Sequence, residues 1–226
     1  MLSFLRRCSR RTLPVVFCSA LLIIFSITPD LFAQSEFVQK GTSAVCLFGS
    51  YQTVAEFDGT IWSFGFSFDG LSNVGMSHGK MSTDNGIEVR LYKAYLDVHL
   101  IKSDREKQPM SLALGGGFQV EGYGIKGHSS DYDIKVLTLG GVVLADLVAS
   151  PIVFLQPSFG LSWVKVFGPG KDQIAVVGGL SLCCRIPPSS ALVVSGGFGY
   201  FEETQYSIGL GILFGYPSEE SKGRSR

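Results

Sequence analysis

Residues Tyr206 to Phe214 read Y-S-I-G-L-G-I-L-F, with Tyr206, Ile208, Leu210, Ile212 and Phe214 at alternate positions and Ser207, Gly209, Gly211 and Leu213 between them. Successive strand residues point to opposite faces, so this segment presents one bulky apolar face and one face of mostly very small side chains. Thr60 to Phe68 repeats the scheme more strongly, setting Trp62, Phe64, Phe66 and Phe68 against Ser63, Gly65 and Ser67. A sheet in water would turn the bulky face inward. The face left outside would be too small to cover a surface and too apolar to be well solvated. Bulky groups toward lipid, with Gly and Ser toward an enclosed axis, suits both faces.

Two-residue alternation returns along most of the chain, separated by turn residues, and no stretch combines a 3.6-residue period with caps at both ends. The chain therefore reads as all-β. Ten strands are expected, at about 42–55, 60–68, 73–82, 87–101, 110–121, 133–147, 151–166, 173–186, 191–201 and 205–214. Ten is even, as a closed antiparallel barrel with adjacent termini requires; eight would require two segments to be merged or discarded. The first strand is the ambiguous one, because Ala44, Cys46 and Phe48 compete with Val45, Leu47 and Tyr51 for the outer face. Most spans reach the ~9–11 residues that cross a bilayer at a tilt, with 60–68 at the lower limit.

The N-terminus carries Arg6, Arg7, Arg10 and Arg11, an apolar run from Leu13 to Ile27, then Pro29, Asp30 and Ala33. These are the three regions of a secretory signal peptide, with cleavage expected after Ala33. The apolar run falls short of the ~20 residues of a spanning helix. Ser9-Arg10-Arg11-Thr12-Leu13 resembles a twin-arginine signal, but a barrel bound for lipid cannot fold before export, so the general secretory route is expected. Phe17 before Cys18 argues against lipidation. Removing residues 1–33 takes four of 19 basic and one of 19 acidic residues, leaving 15 against 18, a net charge of about −3. No basic patch calls for nucleic acid. Of the cysteines, Cys46, Cys183 and Cys184 remain, and their placement predicts no structural disulfide.

The aromatic-ended strand Tyr206, Ile208, Leu210, Ile212, Phe214 resembles the assembly signal of small bacterial outer-membrane β-barrel proteins, and residues ~42–216 resemble that family in pattern. The resemblance implies a closed antiparallel up-and-down transmembrane β-barrel in the outer membrane of a Gram-negative cell. It further implies outer-membrane lipid as surroundings, and barrel-assembly machinery and periplasmic chaperones as partners during biogenesis. Domain organisation follows as signal peptide 1–33, barrel 34–216 and polar tail 217–226. With both termini periplasmic, the inner turns are Asp69-Gly70, Lys102 to Pro109, Val148 to Ser150 and Pro187 to Ser190, and the longest outer loop is Glu121 to Tyr132. Two features depart from the pattern: Lys102 to Pro109 is a long charged inner turn, and Phe214 is not the last residue.

Alternation points Lys93, Asp97 and His99 to one side of their strand, and places Gln119, Glu121, Gln156 and Arg185 toward the lumen by the same logic. Lys or Arg facing the hydrocarbon midplane costs about 2–4 kcal/mol, so these groups should sit inside, in pairs of the kind Lys93–Asp97 and Arg185–Glu121. The inward glycines either leave a thin aqueous passage or relieve crowding. Outward Trp and Tyr near strand ends form an interfacial girdle.

Other constellations are weaker. Gly122-Tyr123-Gly124-Ile125-Lys126-Gly127 spells G-x-G-x-x-G after a strand, but no helix opens at its last glycine to meet a pyrophosphate, so no cofactor is expected. His128, Ser130 and Asp131, with Asp133, have the residue types of a hydrolase, but lie too close along one loop to be held as nucleophile, base and orienting acid. Asp84 or Asp58 with His128 is only a loose analogy to a rim-located protease. His78 and His99 lack partners at ligand spacing, so no metal site is expected. The expectation is an integral, non-catalytic outer-membrane barrel with a structural, surface-contact or porin-like small-solute role. The alternatives are a rim lipid hydrolase or protease using His128, Ser130 and Asp131, and a soluble exported barrel holding a small apolar ligand.

Overall fold

The computed structural model describes residues 38, 41–102, 109–125, 132–148, 152–167, 172–186, 190–200 and 204–217. The expected signal peptide, the tail beyond residue 217 and the loop residues 126–131 lie outside the described residues. The ladder comprises β1 (Thr42–Val54), β2 (Phe57–Phe68), β3 (Ser72–Ser82), β4 (Ile87–Ile101), β5 (Met110–Ile125), β6 (Tyr132–Ala145), β7 (Leu147–Val148), β8 (Val153–Phe167), β9 (Gln173–Ile186), β10 (Ser190–Tyr200) and β11 (Thr204–Pro217). The two-residue β7 continues β6 past Asp146 along β8, so the wall has ten staves. Each stave pairs antiparallel with its neighbours in the chain; β1 pairs with β11, and β6 with β8, which closes the sheet on itself.

All ten expected spans are present, with three differences. The β1–β2 turn is only Ala55-Glu56, so β2 starts at Phe57 and has 12 residues, enough to cross. β5 continues through Glu121 to Ile125, taking into the wall residues expected in an outer loop. β11 runs past Phe214 to Pro217, because β1 offers partners as far as Thr42. At the β2–β3 turn Asp69 and Gly70 have φ of 54° and 65°, and the Leu71 amide donates to the Phe68 carbonyl at 2.9 Å. Two successive positive φ angles match the twist of the flanking strands, which is why Asp-Gly occupies this turn.

A register row starting at Phe167 of β8 runs through Lys135, Val120, Tyr92, His78, Trp62, Gly49, Leu210, Val194 and Leu182, and returns to β8 at Leu155. The displacement, 167 minus 155, is 12 residues. At ~3.3 Å per residue and ~4.8 Å between strands, this gives a tilt of roughly 40°. Strands of 11 to 16 residues then rise roughly 28–40 Å, which spans the ~30 Å hydrocarbon layer.

The orientation is the one the alternation requires. Phe64, Leu210 and Tyr206 are 48%, 57% and 62% exposed on the outer wall, whereas Ser63, Ser77, Ser181 and Ser195 are buried inside. In β1 the ambiguity resolves with Ala44, Cys46 and Phe48 inward and Leu47 and Tyr51 outward. The ends of the barrel differ. The ends of β1, β3, β5, β8 and β10 mark the hairpin end; the start of β1 and the end of β11 mark the termini end.

Candidate functional site

Six of the seven expected lumen groups, Lys93, Asp97, His99, Gln119, Glu121 and Gln156, are buried inside the barrel. Their partners are mostly other polar side chains of the wall. The Asn73 amide donates to Asp97 Oδ1 at 2.8 Å and the Gln156 amide to Asp146 Oδ1 at 2.7 Å. Glu121, with no exposed surface, accepts from the Gln119 amide and the Tyr123 hydroxyl. Across the β1–β11 seam, the Gln205 amide donates to Gln52 Oε1 at 2.9 Å, and Ser63 and Ser77 share a bond of 2.9 Å between β2 and β3. Asn73, Gln52 and Gln205 were not singled out from the sequence, although strand parity places Asn73 on the face of Ser77; Asp146, which follows the G-x-G-x-x-G run by about 20 residues, is instead the partner of Gln156.

Arg185 has lumen parity but lies half-buried at the termini end, its guanidinium 5.5 Å from the Phe154 ring centroid. Glu121 sits toward the hairpin end of β5. The expected Arg185–Glu121 pair is therefore not formed; alternation fixes a side chain's face but not its height, and these two groups occupy opposite ends of the axis.

Gly and Ser line only part of the interior. At the hairpin end, Val54, Phe57, Ile61, Met81, Val89, Leu91, Tyr123, Ile134, Val136, Val164, Val166, Ala175 and Val177 form one buried apolar cluster. These residues come from eight neighbouring strands round the wall, β9, β8, β6, β5, β4, β3, β2 and β1. Toward the termini end, Val38 joins Ala44, Cys46, Phe48, Phe154, Cys183, Ala191, Val193 and Leu213, and Tyr95, Ala113, Val142 and Leu144 form a smaller group. Inward glycines receive rings: a Cβ at Gly209 or Gly211 would run into Phe48, and one at Gly75 into Tyr95. These glycines relieve crowding. No disulfide joins Cys46, Cys183 and Cys184.

The outer wall carries Tyr51, Trp62, Tyr92, Trp163, Tyr200 and Tyr206, all nearer the hairpin end, while Tyr95 and Tyr123 point inward. The termini end of the wall carries Phe68, Leu100, Met110 and Phe214 instead. Above the Trp/Tyr level the wall becomes charged. Glu88 is held by Lys80 at 2.7 Å and Arg90 at 3.1 Å, the Tyr51 hydroxyl donates to Asp58 Oδ2 at 2.5 Å, and Lys165 lies 6.0 Å from the Trp163 ring centroid. His78, on the outer face, stacks on Tyr92 with centroids 4.7 Å apart. His128, Ser130 and Asp131, the catalytic candidates, lie outside the described residues. Asp84 is exposed in the β3–β4 turn, and Asp58 is engaged by Tyr51. Among the described residues, no cluster of three His, Cys, Asp or Glu could hold a metal.

A closed ten-stave antiparallel barrel with bulky apolar groups outside, an aromatic level and a polar-and-apolar packed interior is a transmembrane β-barrel of the outer-membrane kind. Among solved structures the chain is similar to the translocator domain of the autotransporter NalP from Neisseria meningitidis, at 9% identity and TM-score 0.49, covering 82% of this chain and 92% of that one. It is similar also to an outer membrane channel from Pseudomonas putida F1, at 9% identity and TM-score 0.48, over 85% of this chain and 98% of that one. For the outer membrane protease OmpT from Escherichia coli the values are 11%, 0.40, 78% and 96%. The transport and protease activities in those names belong to those proteins. No protein-family model and no curated protein matches the chain.

Proposed function

We propose that the chain is an exported, integral outer-membrane protein whose barrel is sealed and non-catalytic, and which serves the envelope through its lipid-embedded wall and its loops, as a structural or surface-contact element. One observation carries this reading: the apolar cluster at the hairpin end draws residues from eight strands, among them Phe57, Met81, Leu91 and Ile134, each almost wholly buried, while Val54, Val89, Val136 and Val164 expose no surface at all inside the barrel. Water in a continuous path would have to cross that layer without polar partners, which is unfavourable. A ten-stave barrel is only slightly wider than the eight-stave size that side chains fill, and here rings and branched aliphatics supply the extra volume. Of the three roles the sequence allows, small-solute passage is the one this packing disfavours.

The test is conductance. Refolded mature protein in a planar bilayer is expected to give no steady single-channel steps; a reproducible unitary conductance from the folded, heat-modifiable species would overturn the sealed barrel. Export is tested separately, by Edman sequencing of protein from detergent-extracted outer membranes, which is expected to begin at Gln34.

A further inference from the structure

The chain enters β1 by a turn. Gly41 has a φ of 82°, in the left-handed region that glycine adopts without steric cost, and its amide donates to the Asp69 carbonyl at 3.1 Å. The Asp69 amide in turn donates to Ser43 Oγ at 3.1 Å, so the entry to β1 is fixed against the β2–β3 turn at the termini end. Three residues before Gly41, Val38 is 4% exposed and belongs to the apolar group formed by inward residues of β1, β8, β9, β10 and β11. Every other member of that group sits in a stave and is paired with a strand on each side. Val38 precedes β1 and stands in no ladder.

We propose that Val38 is a removable stopper at the termini end of the lumen, set in place by the turn at Gly41 and able to withdraw without any stave moving. The proposal goes beyond the sealed hairpin end and rests on the membrane-spanning reading above. A wall residue leaves the lumen only when sheet hydrogen bonds break, and in lipid those bonds have no replacement. Val38 is retained by the burial of one small apolar side chain, and local opening costs least near a chain end. The two ends of the axis are thus closed differently: the hairpin end by side chains of the wall, the termini end by a side chain of the segment that leads into it. The thiols of Cys46 and Cys183, 2% and 0% exposed in the same group, report on that closure.

The test uses the whole mature chain with Cys184→Ser, which leaves Cys46 and Cys183 as its only thiols, refolded into lipid nanodiscs so that both ends of the barrel meet water. A water-soluble methanethiosulfonate is expected to label both thiols slowly, with peptide mass spectrometry reading each site. Val38→Ala trims the stopper, and Gly41→Val disfavours the turn because a β-branched residue rarely adopts a positive φ. Each should speed labelling of at least one of the two thiols about tenfold. Val136→Ala, in the hairpin-end cluster, is the matched control and should leave both rates unchanged. Parent rates in either Val38→Ala or Gly41→Val overturn the stopper, and so does an equal gain from Val136→Ala, which would mean general loosening. Should a variant fail to insert, Val38→Cys in the same background decides: the new thiol should label about tenfold more slowly in the folded protein than in the urea-unfolded chain, and equal rates overturn the proposal. A parent that fails to insert as a heat-modifiable species would overturn the membrane-spanning reading instead, so the two failures are distinguishable.

Discussion

Phe48 and Gly209 show how single residues set the packing of this interior. The ring occupies the space a Cβ at Gly209 or Gly211 would need, and Tyr95 does the same at Gly75. A large inward ring is possible on one stave only because its neighbour carries no side chain there, so each aromatic and its glycine form one packing unit. Gly209→Val should therefore lower barrel stability by about 1–3 kcal/mol through overpacking, seen as an earlier urea midpoint of the refolded protein. The exposed outward position Gly196, whose added Cβ would meet only the Ser207 carbonyl oxygen at 3.8 Å, is the matched control and should tolerate Ala.

At the scale of the strand, β11 joins two functions in one alternation. Its outward Tyr206, Ile208, Leu210 and Phe214 face lipid, while Gln205 and Leu213 face the lumen and Gly209 and Gly211 yield to Phe48. Because β11 also closes the barrel against β1 over the whole span Thr42↔Pro217 to Val54↔Gln205, a charge placed on its outer face is tested both in lipid and at the seam. Leu210→Arg should cost about 2–4 kcal/mol in a bilayer, measured as a shifted unfolding transition in vesicles. The same substitution at Thr204, at the charged hairpin end, should cost little. A smaller loss at Leu210 than at Thr204 would contradict the orientation of the whole wall.

For the whole molecule, the decisive quantity is the 12-residue displacement around the barrel. It tilts the staves and brings Val54, Val89, Val136 and Val164, from β1, β4, β6 and β8, into one contact cluster. Phe57 and Met81 are the two bulkiest members buried to 1%. Replacing both by Ala should open a cavity in that layer rather than a collapsed core, since the wall is held by its own hydrogen bonds. Phe57→Ala with Met81→Ala is therefore expected to give small, steady conductance steps where the parent gives none, with the heat-modifiable fold retained.

Strand positions, their number and their outward face were legible from residues 42 to 217 because each depends on a local quantity, the two-residue period and the turn residues that interrupt it. Thr60 to Phe68 needs no partner to show which of its faces is bulky. The same parity gives the face of Lys93, Asp97, His99, Gln119, Glu121 and Gln156, which are buried, and of Arg185, which is half-buried at the termini end; it gives no height, and so no partner. The apolar layer was not legible: Val54, Leu91, Ile134 and Val164 are ordinary strand residues in sequence, with no period that marks them as neighbours. They meet because closure and shear bring distant staves face to face across an axis about 20 Å in backbone diameter. Alternation decided which side of the wall each residue takes. Only the closed barrel decided which residues share a height, and hence that a buried apolar layer forms at the hairpin end.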